Sequence, residues 1–127
     1  MPPHEAPARV LLIEAEEGFV ADVVAASGMG QARFELAEGG VHALCMLRKR
    51  AYDVMVTSPR TPVAEDLALV EELRHVRPGT KAIVLAPSAT AADVIASLRA
   101  HVFACFTAPF PVREIAEMIR RAVQNPD

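Results

Sequence analysis

Hydrophobic residues along this chain fall into two patterns: short unbroken runs, and longer stretches with apolar positions spaced three and four apart. Arg9 to Ile13 is a continuous run of strand length, which predicts a strand buried on both faces. Phe19, Val20, Val23 and Val24 follow at helical spacing, behind the acidic stretch Glu14-Ala15-Glu16-Glu17, and the helix should stop near Ser27-Gly28-Met29-Gly30. Gln31 to Ala37 alternates, with Ala32, Phe34 and Leu36 on one side and Arg33 and Glu35 on the other, as an edge strand does. Gly39-Gly40 opens a second helix whose apolar stripe is Val41, Leu44, Cys45 and Leu47.

The second half repeats the alternation. Val54 to Thr57 predicts a short buried strand, and Pro59 and Pro62 turn the chain before a helix from Val63 to Val76 with Leu67, Val70 and Leu73 inward. Arg77-Pro78-Gly79 ends that helix, and Lys81 to Ala86 is a fourth strand. Thr90 is placed to cap a helix carrying Val94, Ile95 and Leu98. Val102 to Thr107 forms a fifth strand, and a last helix from Val112 to Val123 packs through Ile115, Ile119 and Val123. Five strands alternating with five helices over short loops imply an α/β fold: a doubly wound, three-layer (βα)5 domain with a five-stranded parallel sheet. Residues 1–8, with three prolines, read as a mobile lead-in, 9–124 as the domain, and 125–127 as a tail or the start of a linker.

Composition narrows the function. At 127 residues the chain can bury a full core without disulfides or a metal, and 52% hydrophobic residues with 23% charged ones is a globular balance. A net charge of -3 argues against non-specific nucleic-acid binding, and Arg48-Lys49-Arg50 falls where cations complement a helix C-terminus. Cys45 and Cys105 sit among apolar neighbours and read as reduced core residues, with no metal-ligand spacing around them. His4, His42, His75 and His101 share no ligand spacing either. No run approaches the length of a membrane span, and the first eight residues lack the apolar centre of a secretory signal, so the cytoplasm is the default location.

In open parallel sheets, ligands and chemistry collect at the carboxyl ends of the strands, which points to Ser58, where the strand from Val54 stops. The residues at these ends resemble those of the receiver domain of two-component response regulators. Leu11-Leu12-Ile13-Glu14-Ala15-Glu16-Glu17 is similar to the family's opening strand and acidic pair. Tyr52 to Pro62 is similar to the strand and turn around its phosphoacceptor, and Phe103 to Phe110 to its last strand and Lys-Pro-Phe turn. The resemblance runs from Arg9 to about Gln124 and implies a flavodoxin-like sheet.

The resemblance also implies what the pocket has lost. The family forms an acyl phosphate on an aspartate, with Mg²⁺ on hard oxygen ligands and a hydroxyl and a lysine on the phosphoryl oxygens. Here the acceptor position holds Ser58, the acidic pair is Glu14 and Ala15, the hydroxyl position holds Ala86, the lysine position Ala108, and the switch aromatic is replaced by Cys105. Clustered carboxylates repel by about 4 kcal/mol per pair at about 4 Å and an effective dielectric of about 20, a strain that Glu14 alone does not create. This implies a degenerate phosphorylation pocket with no catalytic residue, no metal and no cofactor.

Ser58 has no His-and-acid pattern to activate it, and Pro59 follows where a nucleophile elbow has glycine; modification by a serine kinase is a second reading for it. Glu14 is placed either to pair with Arg60 or to stand in solvent. The turn at Ala108-Pro109 matches one where the family's peptide bond is commonly cis, and His101 stands where the family usually has glycine. The family's usual contact face maps onto Ala96, Arg99, Ala100, Val102, Ala104 and Arg113, a composition that serves a protein interface or an ordinary solvated face.

Three functional expectations follow. The first is a pseudo-receiver that is not an enzyme and acts by contact with a signalling protein or a second copy of itself. The second is a receiver that accepts a phosphoryl group at an unconventional residue. The third is a small-ligand module using the strand-end crevice.

Overall fold

A computed structural model of the chain describes residues 7–57, 63–86 and 102–124. In chain order these are β1 (Arg9–Ile13), α1 (Glu17–Ser27), β2 (Arg33–Ala37), α2 (Gly40–Lys49), β3 (Val54–Val56), α3 (Val63–Val76), β4 (Lys81–Ala86), β5 (Ala104–Thr107) and α4 (Val112–Gln124). The helix expected after Thr90 falls outside the described residues, as do His4 and His101.

All strand pairs are parallel, in the order β2-β1-β3-β4-β5. The order reverses between β1 and β3, and the crevice beyond their carboxyl ends is where such sheets bind ligands. Because both faces of the sheet are covered, successive residues of one strand enter different cores. Val10 and Leu12 pack with Val54, Val56, Ile83 and Leu85 against Val23 of α1 and Ile115 and Ile119 of α4. Leu11 and Ile13 pack with Met55 and Val84 against Ala43 and Leu47 of α2 and Val70 and Leu73 of α3.

Helix ends are fixed by local bonds. Gly28 takes the left-handed conformation, φ 69°, that ends α1, and the Ser27 hydroxyl accepts the Met29 amide at 3.1 Å. Arg77, just past α3, donates through Nε to the Leu47 carbonyl at 2.7 Å, satisfying one of the open carbonyls at the end of α2. The Thr80 hydroxyl donates to the Tyr52 carbonyl at 2.6 Å and pins the chain entering β4 to the chain entering β3.

The expected apolar stripe of α2 needs correcting. Its buried residues are Ala43 and Leu47, one turn apart, with Leu44 half-buried; Val41 and Cys45 are exposed, Val41 at 81%. Cys45 is therefore an exposed free thiol and not a core residue, while Cys105 is half-buried. On the apolar side of β2, Phe34 is half-buried and Leu36 is 43% exposed, as befits a strand at the edge of the sheet. On α4 the buried residues are Ile115, Ala116, Ile119 and Ala122, and Val123 is half-buried on the flank of that stripe.

Strand limits shift by one or two residues. β5 begins at Ala104 and not Val102, and β2 at Arg33 and not Gln31. β3 ends at Val56: the Thr57 amide still donates to the Ile83 carbonyl at 2.9 Å, but the Leu85 amide bonds the Thr57 hydroxyl at 3.0 Å in place of a backbone carbonyl, and the ladder stops there.

Candidate functional site

The carboxyl ends of β1, β3, β4 and β5 gather the residues that the sequence singled out. Glu14 follows β1 directly, is exposed, and holds φ 48°, a left-handed backbone that a glutamate adopts at a cost of about 1 kcal/mol. Its amide donates to the Ala37 carbonyl at 2.8 Å, which ties the strained turn to the end of β2. Ala15 is half-buried and packs on the core shared by α1 and α4. Ala86 closes β4 at 0% exposure, so the matched hydroxyl position presents a methyl group packed into the protein. Ala108 is exposed just after β5, and the Ala108–Pro109 bond is cis, as the resemblance implies. Ser58 and Arg60 lie outside the described residues, and with them the expected Glu14–Arg60 pair.

On the contact face, Val102 and Ala104 are half-buried and Arg113 is exposed, while Ala96, Arg99 and Ala100 lie outside the described residues. Arg113 lines a cavity of about 330 Å³ on the outer side of β5 and α4, together with Phe106, Glu114, Glu117, Met118 and Arg121. Glu117 is held by Arg120 and, at 3.3 Å, by Arg121, so this surface sets charged side chains beside the half-buried Phe106 and Met118.

Sequence reasoning missed Asp66. It stands in the first turn of α3, only 2% exposed, with its carboxyl hydrogen-bonded by the Thr57 side chain and its Oδ2 buried without a partner. Thr57 accepts the Leu85 amide and is buried too, so a three-member chain runs from β4 through the end of β3 into α3. Burial pushes the Asp66 carboxyl up to about 7; the Thr57 hydrogen bond opposes that, and nearby Glu65 reinforces it. The signal for its burial was present in the sequence, since Asp66 lies four and seven residues before Val70 and Leu73 and so shares their face. Asp66 also lines a cavity of about 260 Å³ with Ile13, Gly40, Val41, Glu65 and Leu69, beside the crevice at the end of β1.

A second polar cluster lies where α2 returns to the sheet. The Tyr52 hydroxyl donates to Glu35 Oε1 at 2.7 Å, Arg9 donates to Oε2 at 2.6 Å, and Arg50 stands 3.9 Å from the same oxygen. The Tyr52 bond chiefly, then Arg9 and Arg50, hold the Glu35 carboxyl below the usual range against the opposing pull of burial. Burial and the Glu35 bond push the Tyr52 hydroxyl up to about 12.

Strand order, layers and cis turn together are those of the flavodoxin-like receiver fold. Solved structures agree. The chain superposes on a CheY-like response regulator receiver domain from Methanospirillum hungatei with a TM-score of 0.78 and 19% identity, over 94% of this chain and 95% of that one. It superposes on the beryllofluoride-activated NtrC4 receiver domain dimer with a TM-score of 0.77 and 16% identity, over 91% and 96% of the two chains. No family model matches the chain. In sequence it is 27% identical over 110 residues to a response regulator receiver protein of an Anaeromyxobacter strain, covering 87% of this chain. The chain spans about half, 46%, of that relative's length. Among the described residues no helix is long and apolar enough to cross a membrane, and no three His, Cys, Asp or Glu side chains are grouped to hold a metal ion.

Proposed function

We propose that the protein is a pseudo-receiver: a cytoplasmic regulatory module of two-component signalling that is not an enzyme and works by contact with a protein partner, without aspartyl phosphorylation. The observation that carries the reading is Ala86, closing β4 at 0% exposure where the receiver family presents a hydroxyl to the phosphoryl group. A methyl group there can neither donate to a phosphoryl oxygen nor move toward one to signal occupancy. Ala108 offers no cation in the matched position after β5, and Ser58 stands in sequence where the acceptor aspartate belongs. With Glu14 the remaining carboxylate of the matched set, the site lacks the hard-ligand cluster that would hold Mg²⁺.

The partner surface in this reading is the family's contact face, to which Val102, Ala104 and Arg113 and, by their match in sequence, Ala96, Arg99 and Ala100 correspond. Charged residues around partly buried apolar groups suit a contact that forms and separates. One structural relative is described as a receiver domain dimer, which makes self-association a natural form of that contact.

Incubation with acetyl phosphate and Mg²⁺ followed by intact-mass measurement tests the reading. An unchanged mass is the expected result. An added phosphoryl group, mapped to any residue, would replace the pseudo-receiver with a receiver that uses an unconventional acceptor.

A further inference from the structure

The layer formed by α2 and α3 carries opposite charge at its two ends. Where both helices finish, residues 47–53 and 73–81 hold six cations, Arg48, Lys49, Arg50, Arg74, Arg77 and Lys81, against one carboxylate, Asp53. Two bonds hold these segments side by side: Arg77 Nε donates to the Leu47 carbonyl at 2.7 Å, and the Lys81 amide donates to the Asp53 carbonyl at 3.0 Å. Arg50 has Glu35 at 3.9 Å, but among the described residues Arg48, Lys49, Arg74 and Lys81 have no carboxylate at ion-pair distance. Glu71 and Glu72, a turn back on α3, are exposed and make no ion pair with Arg74. Two helix C-termini supply about -0.5 of a charge each, too little to neutralise this end.

The opposite end is acidic. Glu38 precedes α2, Glu65 stands in the first turn of α3 and Glu14 follows β1, and all three are exposed. The Glu14 amide donates to the Ala37 carbonyl at 2.8 Å, which sets Glu14 beside the Ala37-Glu38 turn. Val41 and Glu65 line one cleft of about 260 Å³, whose walls include Ile13 and Leu69. Among the described residues no Lys or Arg stands on the α2 and α3 side of this end. His42 accepts the Glu38 amide through Nδ1 at 2.9 Å, so that nitrogen carries no proton. An aliphatic cleft rimmed by carboxylates suits a long basic side chain, whose stem covers the apolar wall while its head reaches the acids. Such side chains are what the other end presents.

Other occupants of the basic end fit less well. An extended polyanion would run onto the rest of the chain, which carries fifteen carboxylates against seven Lys and Arg. A lipid surface would find no apolar anchor there: the exposed large hydrophobic side chains among the described residues are Leu36, near the carboxyl end of β2, and Val41, at the start of α2. The complement that the molecule does supply is its own acidic end.

We propose that copies of this chain bind head to tail, the basic ends of α2 and α3 of one copy seating on the acidic starts of α2 and α3 of the next. Arg48, Lys49 and Arg74 meet Glu38 and Glu65 across the contact, one long side chain enters the cleft beside Val41, and the helix dipoles of the two copies run in line. The contact is heterologous, so each pair keeps one free end of each kind and further copies add in a chain. It is separate from the face of β5 and α4.

The test is sedimentation velocity of the whole chain over a concentration series, at about 0.02 M and about 0.5 M salt. The mean mass should rise with concentration in low salt and return to that of the monomer in high salt. Arg48→Gln with Lys49→Gln and Arg74→Gln neutralises the basic end; Glu38→Gln with Glu65→Gln neutralises the acidic end. All five positions are exposed. Either variant alone should associate at least about tenfold more weakly than the parent. Mixed, the two should form one-to-one pairs and nothing larger, because each keeps one intact end, and pairing also shows that both are folded. A parent that stays monomeric in low salt would overturn the proposal. So would association that both variants retain, that high salt leaves unchanged, or that is no stronger in the mixture than in either variant alone. Retention of the parent, and not of the basic-end variant, on duplex DNA or phosphatidylserine vesicles without self-association would assign the basic end to another class of partner and overturn it too. None of these outcomes bears on whether the chain accepts a phosphoryl group, so this inference and the pseudo-receiver reading fail separately.

Discussion

At the scale of single residues, two carboxyls pull stability in opposite directions as pH changes. Glu35 has its carboxyl held below 4.5 by Tyr52, Arg9 and Arg50. Its contribution is thus present above about pH 4.5 and is lost as pH falls through the lower folded value. Tyr52→Phe should cost about 1 kcal/mol at pH 7, and the gap to the parent should narrow in acid as Glu35 takes up its proton, read by urea melts at several pH values. Asp66 runs the other way. Its folded carboxyl, at about 7, binds a proton that the unfolded chain, near 3.8, has already released, so stability falls as pH rises between these values. Asp66→Asn should flatten that decline, leaving the variant at least as stable as the parent at pH 8 and no more stable at pH 5. A decline of the same slope in both proteins would show that the Asp66 carboxyl is not raised.

The element scale turns on Thr57, which ends β3 with a hydroxyl where the ladder would use a carbonyl. Thr57→Val keeps the shape but strands the Leu85 amide and removes the Asp66 partner, so it should cost about 1–3 kcal/mol. Thr57→Ser should recover most of that, and hydrogen exchange at the Leu85 amide should accelerate in the valine variant alone. The same residues show how far the elements were legible in the sequence. β1, β4 and α3 have their expected limits because buried parallel strands read as unbroken apolar runs and α3 is bounded by prolines. The stripe of α2 was misplaced because Val41 and Cys45 outrank Ala43 in hydrophobicity, whereas close approach of the helix to the sheet selects the small residue. Asp66 was passed over for a related reason: an acid in a first helical turn already has an explanation in the dipole, and its partner Thr57 lies on a different element. The strand-end residues were found by position and family likeness, but a cleft built by Ile13, Gly40 and Leu69 exists only after folding.

For the whole molecule, the proposed pseudo-receiver reading turns on whether the fold supports receiver chemistry once the family's side chains stand at the matched positions. Acceptor, hydroxyl and cation act on one transferring group, so their effects are strongly coupled and restoring one gives little. Ser58→Asp by itself restores the acceptor carboxylate in sequence with no cation at the matched position 108 to offset it, and should take no phosphoryl group from acetyl phosphate. Adding Ala108→Lys supplies the cation at an exposed position that tolerates it. Adding Ala86→Ser introduces a hydroxyl into a fully buried position at the cost of about 1–3 kcal/mol unless it finds a partner. The triple variant, with Glu14 at the position matched to the family's acidic pair, should show Mg²⁺-dependent mass gain that the three single variants lack. Phosphorylation of Ser58→Asp alone, to the same extent as the triple variant, would mean that the pocket of this chain never lost more than its nucleophile. A silent triple variant would place the loss elsewhere, with the strained backbone at Glu14 as the next position to change, since a left-handed turn fixes where that carboxylate can reach.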